Sequence, residues 1–148
     1  MRNGKKRAND EVPNWQPISA LPMFAFIIDG MLREDQEQYK NLLEARDKPH
    51  VLDDYTVDSV IRVYNDHLED ADIFDEQLSR WKKGEQTSSQ REEVERLTGQ
   101  VEQLRKVCQQ ILALAAELRK GTIDRILEKS DIELALDVLT GKIKPPWE

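Results

Sequence analysis

Apolar residues recur in steps of three and four along most of this chain, and that period predicts helices. The clearest run is the third. Val94, Val101, Cys108 and Ala115 fall at one heptad position, while Leu97, Leu104, Ile111 and Leu118 fall at the other, without a break. The stripe widens toward its end, where Val107, Leu112 and Leu114 join it, so the first half needs one neighbour and the second half needs more. Ser89 with Glu92 has the spacing of a capping box, and Gly121 is the expected stop.

Helix one carries Leu21, Phe24, Ile28, Met31, Tyr39 and Leu42 at helical spacing. Its core line passes through Met31, Asp35 and Tyr39. Ser19 is the expected cap, Pro22 falls in the first turn, and the helix should end near Arg46, before Pro49. Its opening, Met23 to Ile28, is apolar almost all round and calls for several neighbours. Helix two is capped by Asp53, Asp54 or Thr56. Its core line runs through Val57, Val60 or Ile61, Tyr64, His67 or Leu68, Ala71, Phe74, Leu78 and Trp81 to a stop at Gly84. Two short helices follow, Ile123 to about Lys129 and, after a Ser130/Glu133 capping box, Asp131 to Leu139. No segment alternates with period two.

The pattern therefore predicts an all-α fold: an antiparallel bundle of three long helices plus two short C-terminal helices. Each long helix would have roughly 27 to 32 residues, or about 40–48 Å at 1.5 Å per residue. Residues 1–16 read as a flexible tail, 17–141 as one domain and 142–148 as an extended tail. An up-down-up order makes helices one and three parallel. The apolar start of helix one then lies far from the broad apolar end of helix three, so a second chain covering one of them becomes attractive.

Composition narrows the function classes. The chain has 148 residues, a net charge of -7 and 34% charged residues. The acidic balance weighs against nucleic-acid binding, which needs clustered cations. The single basic cluster is Arg2, Lys5, Lys6 and Arg7, and a contact there to nucleic acid is the weakest expectation. One cysteine, Cys108, excludes an intramolecular disulfide and fits a reducing, cytoplasmic setting. Leu21 to Ile28 is too short to span a bilayer, so no membrane association is expected.

Candidate chemistry is sparse. Cys108 sits at a core heptad position, which favours a packed, inert thiol over a nucleophile. His67 lies near a core line and reads as a partly buried, hydrogen-bonded side chain, and no di-iron set of Glu-x-x-His pairs exists. The short helices bear Asp131, Glu133 and Asp137, which oppose a DNA-reading role. The acidic run Asp66, Glu69, Asp70, Asp72, Asp75 and Glu76 reads as a solvated face, with docking of a basic partner as the functional option. Glu34/Glu37 on helix one and Glu69/Asp72 on helix two have the spacing of an E-x-x-E facing an E-x-x-D. This faintly resembles the all-α MazG-like nucleoside-triphosphate pyrophosphohydrolases, and the resemblance implies a Mg²⁺-dependent nucleotide pyrophosphohydrolase using those four residues. It covers four residues and a helix count. Glu37 departs from it, lying off the core line of helix one, and Glu69 and Asp72 flank theirs.

The leading expectation is a helical module without catalytic residues, metal or cofactor, which forms a homodimer or binds a helical protein. The expected pairing residues are Val94, Leu97, Val101, Leu104, Cys108, Ile111, Ala115 and Leu118, with Leu21, Phe24 and Phe26 as the possible interface patch.

Overall fold

Local backbone devices set most of the helix boundaries. In the computed structural model, which describes residues 14–48 and 52–127 (backbone only for 121–127), three α-helices follow one another: α1 (Leu21–Arg46), α2 (Asp54–Lys83) and α3 (Ser88–Leu127). Asp53 caps α2, its carboxylate accepting the Thr56 N–H at 2.8 Å. Gly84 closes α2, its N–H bonding to the Trp81 carbonyl. Pro22 sits in the first turn of α1, where its missing N–H leaves no bond unmade.

Three boundaries differ from expectation. Ser19 does not cap α1; it lies in a 3₁₀ turn, Ile18–Ala20, that runs straight into the helix. The box that opens α3 is Thr87 with Gln90, not Ser89 with Glu92. The Thr87 N–H donates to Gln90 Oε1 at 2.8 Å, and the Gln90 N–H donates to Thr87 Oγ at 3.1 Å. Gly121 does not end α3, which continues to Leu127. A glycine inside a helix costs only about 1 kcal/mol relative to alanine, less than the hydrogen bonds that continuing retains. The first expected short helix is thus partly absorbed into α3, and Asp131–Leu139, the tail 142–148 and the basic cluster lie outside the described residues. Among the described residues there is no strand, and no helix is long and apolar enough to cross a membrane.

Ion pairs reveal the topology. Asp29 of α1 binds Arg96 and Gln100 of α3, and Asp35 of α1 meets Cys108 of α3, so the positions advance together and the helices are parallel. Asp72 of α2 holds Arg105, whereas Asp54, earlier in α2, holds Arg119, so α2 runs antiparallel to α3. The arginine–carboxylate pairs are solvent-screened, so they register the helices more than they stabilise them.

The core supplies the stability. All eight stripe residues of α3 are buried, and they pack against α1 and α2 of the same chain. Full burial of each large aliphatic side chain is worth about 1.5–3 kcal/mol. Leu21, Ile28, Asp35 and Leu42 form the buried heptad line of α1, while Val57, Tyr64, Ala71 and Leu78 form that of α2. At the opening end, Trp81 meets Phe24 edge-on at 5.1 Å, and Phe24 meets Phe74 at 6.2 Å. The incoming chain is tied there too. Trp81 Nε1 donates to the Gln16 carbonyl, the Gln16 N–H donates to buried Gln77, and Arg80 stacks on Trp15. Trp15 and Gln16 are therefore docked on the bundle.

Candidate functional site

Each helix carries one polar or ligating side chain at the same core level. Asp35 occupies the heptad line between Ile28 and Leu42 and is 1% exposed. His67 lies three residues beyond Tyr64 on α2, and Cys108 interrupts the aliphatic stripe of α3 between Val101 and Ala115. The three converge. His67 Nδ1 donates to Asp35 Oδ2 at 2.8 Å, and the Cys108 thiol donates to the same oxygen at 3.4 Å. All three ligand atoms lie within 4.8 Å of one another. Tyr64 braces the imidazole edge-on, with ring centroids 4.9 Å apart.

The electrostatics follow from the burial. Desolvation pushes the Cys108 thiol far above its usual range, and the Asp35 carboxylate beside it adds to the effect. Both effects hold the proton on sulfur and disfavour the thiolate that nucleophilic attack requires. Burial and the nearby Asp35 likewise push the Tyr64 hydroxyl up to about 12. Burial also raises the Asp70 carboxyl, one turn beyond His67.

His67 itself is raised above its ordinary 6.5, first by the hydrogen bond to Asp35, which outweighs desolvation, with Asp70 and Asp66 adding to it. A group raised in the folded state binds its proton more tightly there than when unfolded. The stability from this pairing is therefore complete below pH about 6.5 and is lost as the pH rises through the higher native value. The groups facing the imidazole are Asp35 from α1, Cys108 from α3, and Tyr64, Asp66 and Asp70 on its own helix. The melting temperature should fall as the pH is raised from about 6 to 8, and Asp35→Asn should flatten that slope. Circular dichroism melts across the range check it.

The four carboxylates of the hydrolase pattern are placed otherwise. Glu34 and Glu37 are exposed, and Asp72 is held by Arg105 at 2.7 Å. Asp35, His67 and Cys108 make up the one group of three or more ligating side chains brought together among the described residues, and none of the four belongs to it. The acidic face of α2 is also partly neutralised within the chain. Arg105 bridges Asp72 and Asp75, and Arg80 reaches Glu76.

A second feature lies on the outer face of α1. Of the expected patch, Leu21 is buried and Phe24 packs between Phe74 and Trp81, so both belong to the chain's own core. Phe26 stands 81% exposed, flanked by Met23 at 53% and Ile27 at 40%. Positions 23, 26, 27 and 30 share one helix face. Gly30 completes it, and a Cβ there would meet only the guanidinium tip of Arg33 at 3.9 Å. Nothing in the intrachain packing requires a glycine at this point.

Spacing alone missed the meeting of Asp35, His67 and Cys108, although an acidic residue on a core line was the available signal. No protein-family model, curated protein or solved structure matches the chain. Its own geometry defines its class: a three-helix bundle with an Asp–His–Cys layer in its core and, among the described residues, an exposed apolar face on α1.

Proposed function

We propose that the chain is a protein-binding helical bundle whose outer α1 face pairs with the same face of a second copy. The exposure of Phe26 beside Met23 and Ile27 carries this reading. The α3 stripe is used within the chain, so self-association shifts to side chains that stand exposed among the described residues. Gly30 supports helix against helix, because a residue without Cβ lets a second backbone approach closely. The stripe is also self-complementary. In an antiparallel, twofold pairing of α1 with its copy, Phe26 lies opposite Ile27 and Gly30 lies opposite Met23. Each copy carries a charge of -7, so added salt should strengthen the dimer by screening the repulsion.

Phe26→Asp is the direct test. Its side chain touches little within the chain, so the variant should melt within about 0.5 kcal/mol of the parent. Burying a phenylalanine is worth about 1.5–3 kcal/mol, so the substitution should weaken association by at least about tenfold. Sedimentation equilibrium across a wide concentration range reads this. A monomer mass for the parent at every concentration, or equal association of parent and variant, would overturn the proposal.

A further inference from the structure

We infer that Asp35, His67 and Cys108 form a binding site for a divalent transition-metal ion of the zinc class, one ligand coming from each helix. This stands apart from the α1 face and does not depend on it. The donor set is one carboxylate oxygen, one imidazole nitrogen and one sulfur, each a ligand that Zn²⁺ accepts. Harder ions such as Mg²⁺ and Ca²⁺ select oxygen alone.

The geometry is close to what the ion needs. Zinc–ligand bonds of about 2.0–2.3 Å in a tetrahedron put ligand atoms roughly 3.3–3.7 Å apart. Here Sγ to Oδ2 is 3.4 Å, Nδ1 to Oδ2 is 2.8 Å, and one ligand atom from each of the three residues lies within 4.8 Å of the other two. The Asp35–His67 contact would have to open by about half an ångström to enter that range, and the Asp35–Cys108 contact already lies within it. In the metal-free form two protons hold the group together, both directed at Asp35 Oδ2. An entering ion takes their place, so the thiol proton and the Nδ1 proton leave to solvent as it binds.

Access and attraction are present as well. The His67 side chain is 23% exposed, which opens one edge of an otherwise buried layer. Asp66 and Asp70 flank that edge and give it a negative potential that draws cations. Three protein ligands leave a fourth position for water or an added ligand, as zinc sites with an open position do. A polar layer kept only for packing specificity would need neither sulfur beside imidazole nor an open edge.

The test uses the full chain, reduced and stripped of metal, with Co²⁺ as a coloured probe and Zn²⁺ as competitor. The expected result is one equivalent of Co²⁺, a thiolate-to-cobalt charge-transfer absorption, displacement by Zn²⁺, and a higher melting temperature with Zn²⁺. Cys108→Ala should lose the charge-transfer band. His67→Gln should bind Zn²⁺ at least about a hundredfold more weakly, since even outer partners of a metal site are worth 10–100-fold. Loss of the band is a readout that packing alone would not give, and the parent titration stands even if a variant fails to fold. Absence of both band and thermal shift in the parent would overturn the site. So would full Zn²⁺ affinity in a folded His67→Gln chain.

Discussion

Asp35→Ala should melt far below the parent, with a loss of about 3 kcal/mol, the low end for breaking a buried charged pair because His67 keeps partial exposure. Asp35 Oδ2 is the acceptor for both His67 Nδ1 and the Cys108 thiol. Removing it strands a half-buried imidazole and leaves space between α1 and α3. The second half of the prediction separates the causes. Pairing Asp35→Ala with His67→Leu returns the layer to apolar atoms at nearly the same total volume, and Cys108 alone behaves as a small hydrophobe. The double variant should recover most of the lost stability, a strong departure from additivity that marks direct coupling. Urea unfolding of the metal-free parent, single and double variants measures this. An Asp35→Ala chain as stable as the parent would show that the layer bears no load.

Trp81→Ala should cost about as much, roughly 3–5 kcal/mol for deleting a buried tryptophan. Trp81 is 6% exposed, closes the opening end of the core against Phe24, and anchors the Gln16 carbonyl through Nε1. Trp81→Phe keeps most of the ring packing and removes the donor. It should cost only about 1 kcal/mol, the net worth of one hydrogen bond. The difference between the two variants isolates packing from anchoring. Equal losses would mean that the hydrogen bond, and not the ring, holds this end together. Proteolysis near residue 16 should accelerate in both, because each removes the Nε1 bond to the Gln16 carbonyl and leaves the segment held by Gln77 and Arg80 alone.

Both predictions depend on parts of the fold that were unequally visible in the sequence. The heptad stripe from Val94 to Leu118 was fully legible, since a period of three and four fixes which side of a helix is buried. So were the Gly84 stop and the end of α1 near Arg46, both local backbone effects, whereas the α2 cap was narrowed only to Asp53, Asp54 or Thr56, and the Thr56 N–H bond selects Asp53. Gly121 misled because a glycine signals a stop only when the following residues gain by leaving the helix, and those after 121 continue it. Thr87 with Gln90 has the same capping spacing as Ser89 with Glu92, so spacing alone does not place the start of α3, and the two reciprocal bonds at Thr87 and Gln90 do.

The polar layer was legible in pieces and not as a whole. Asp35 lay on the core line of helix one, His67 near that of helix two, and Cys108 at a heptad position of helix three. Their meeting depends on the axial offsets between helices, which core packing and the two loops set together. The interface patch was half legible for a similar reason. The apolar start of α1 pointed to burial on all sides, but periodicity could not tell which side α2 and α3 would take. The bundle buries Leu21, Phe24 and Ile28 to differing degrees and leaves Met23, Phe26 and Ile27 outside.

The central claim is that this outer α1 face meets its own copy, and a cross-link tests it most directly. A twofold, antiparallel pairing brings Ile27 close to the axis, so Ile27→Cys should oxidise to a disulfide-linked dimer. The native Cys108 is buried and offers no competing thiol. Val63 is exposed to the same degree but lies on α2, at 41%, so Val63→Cys serves as the control. The account predicts rapid, nearly complete linkage of Ile27→Cys, abolished when Phe26→Asp is added, and little linkage of Val63→Cys. Equal, slow linkage at both positions, unaffected by Phe26→Asp, would contradict it.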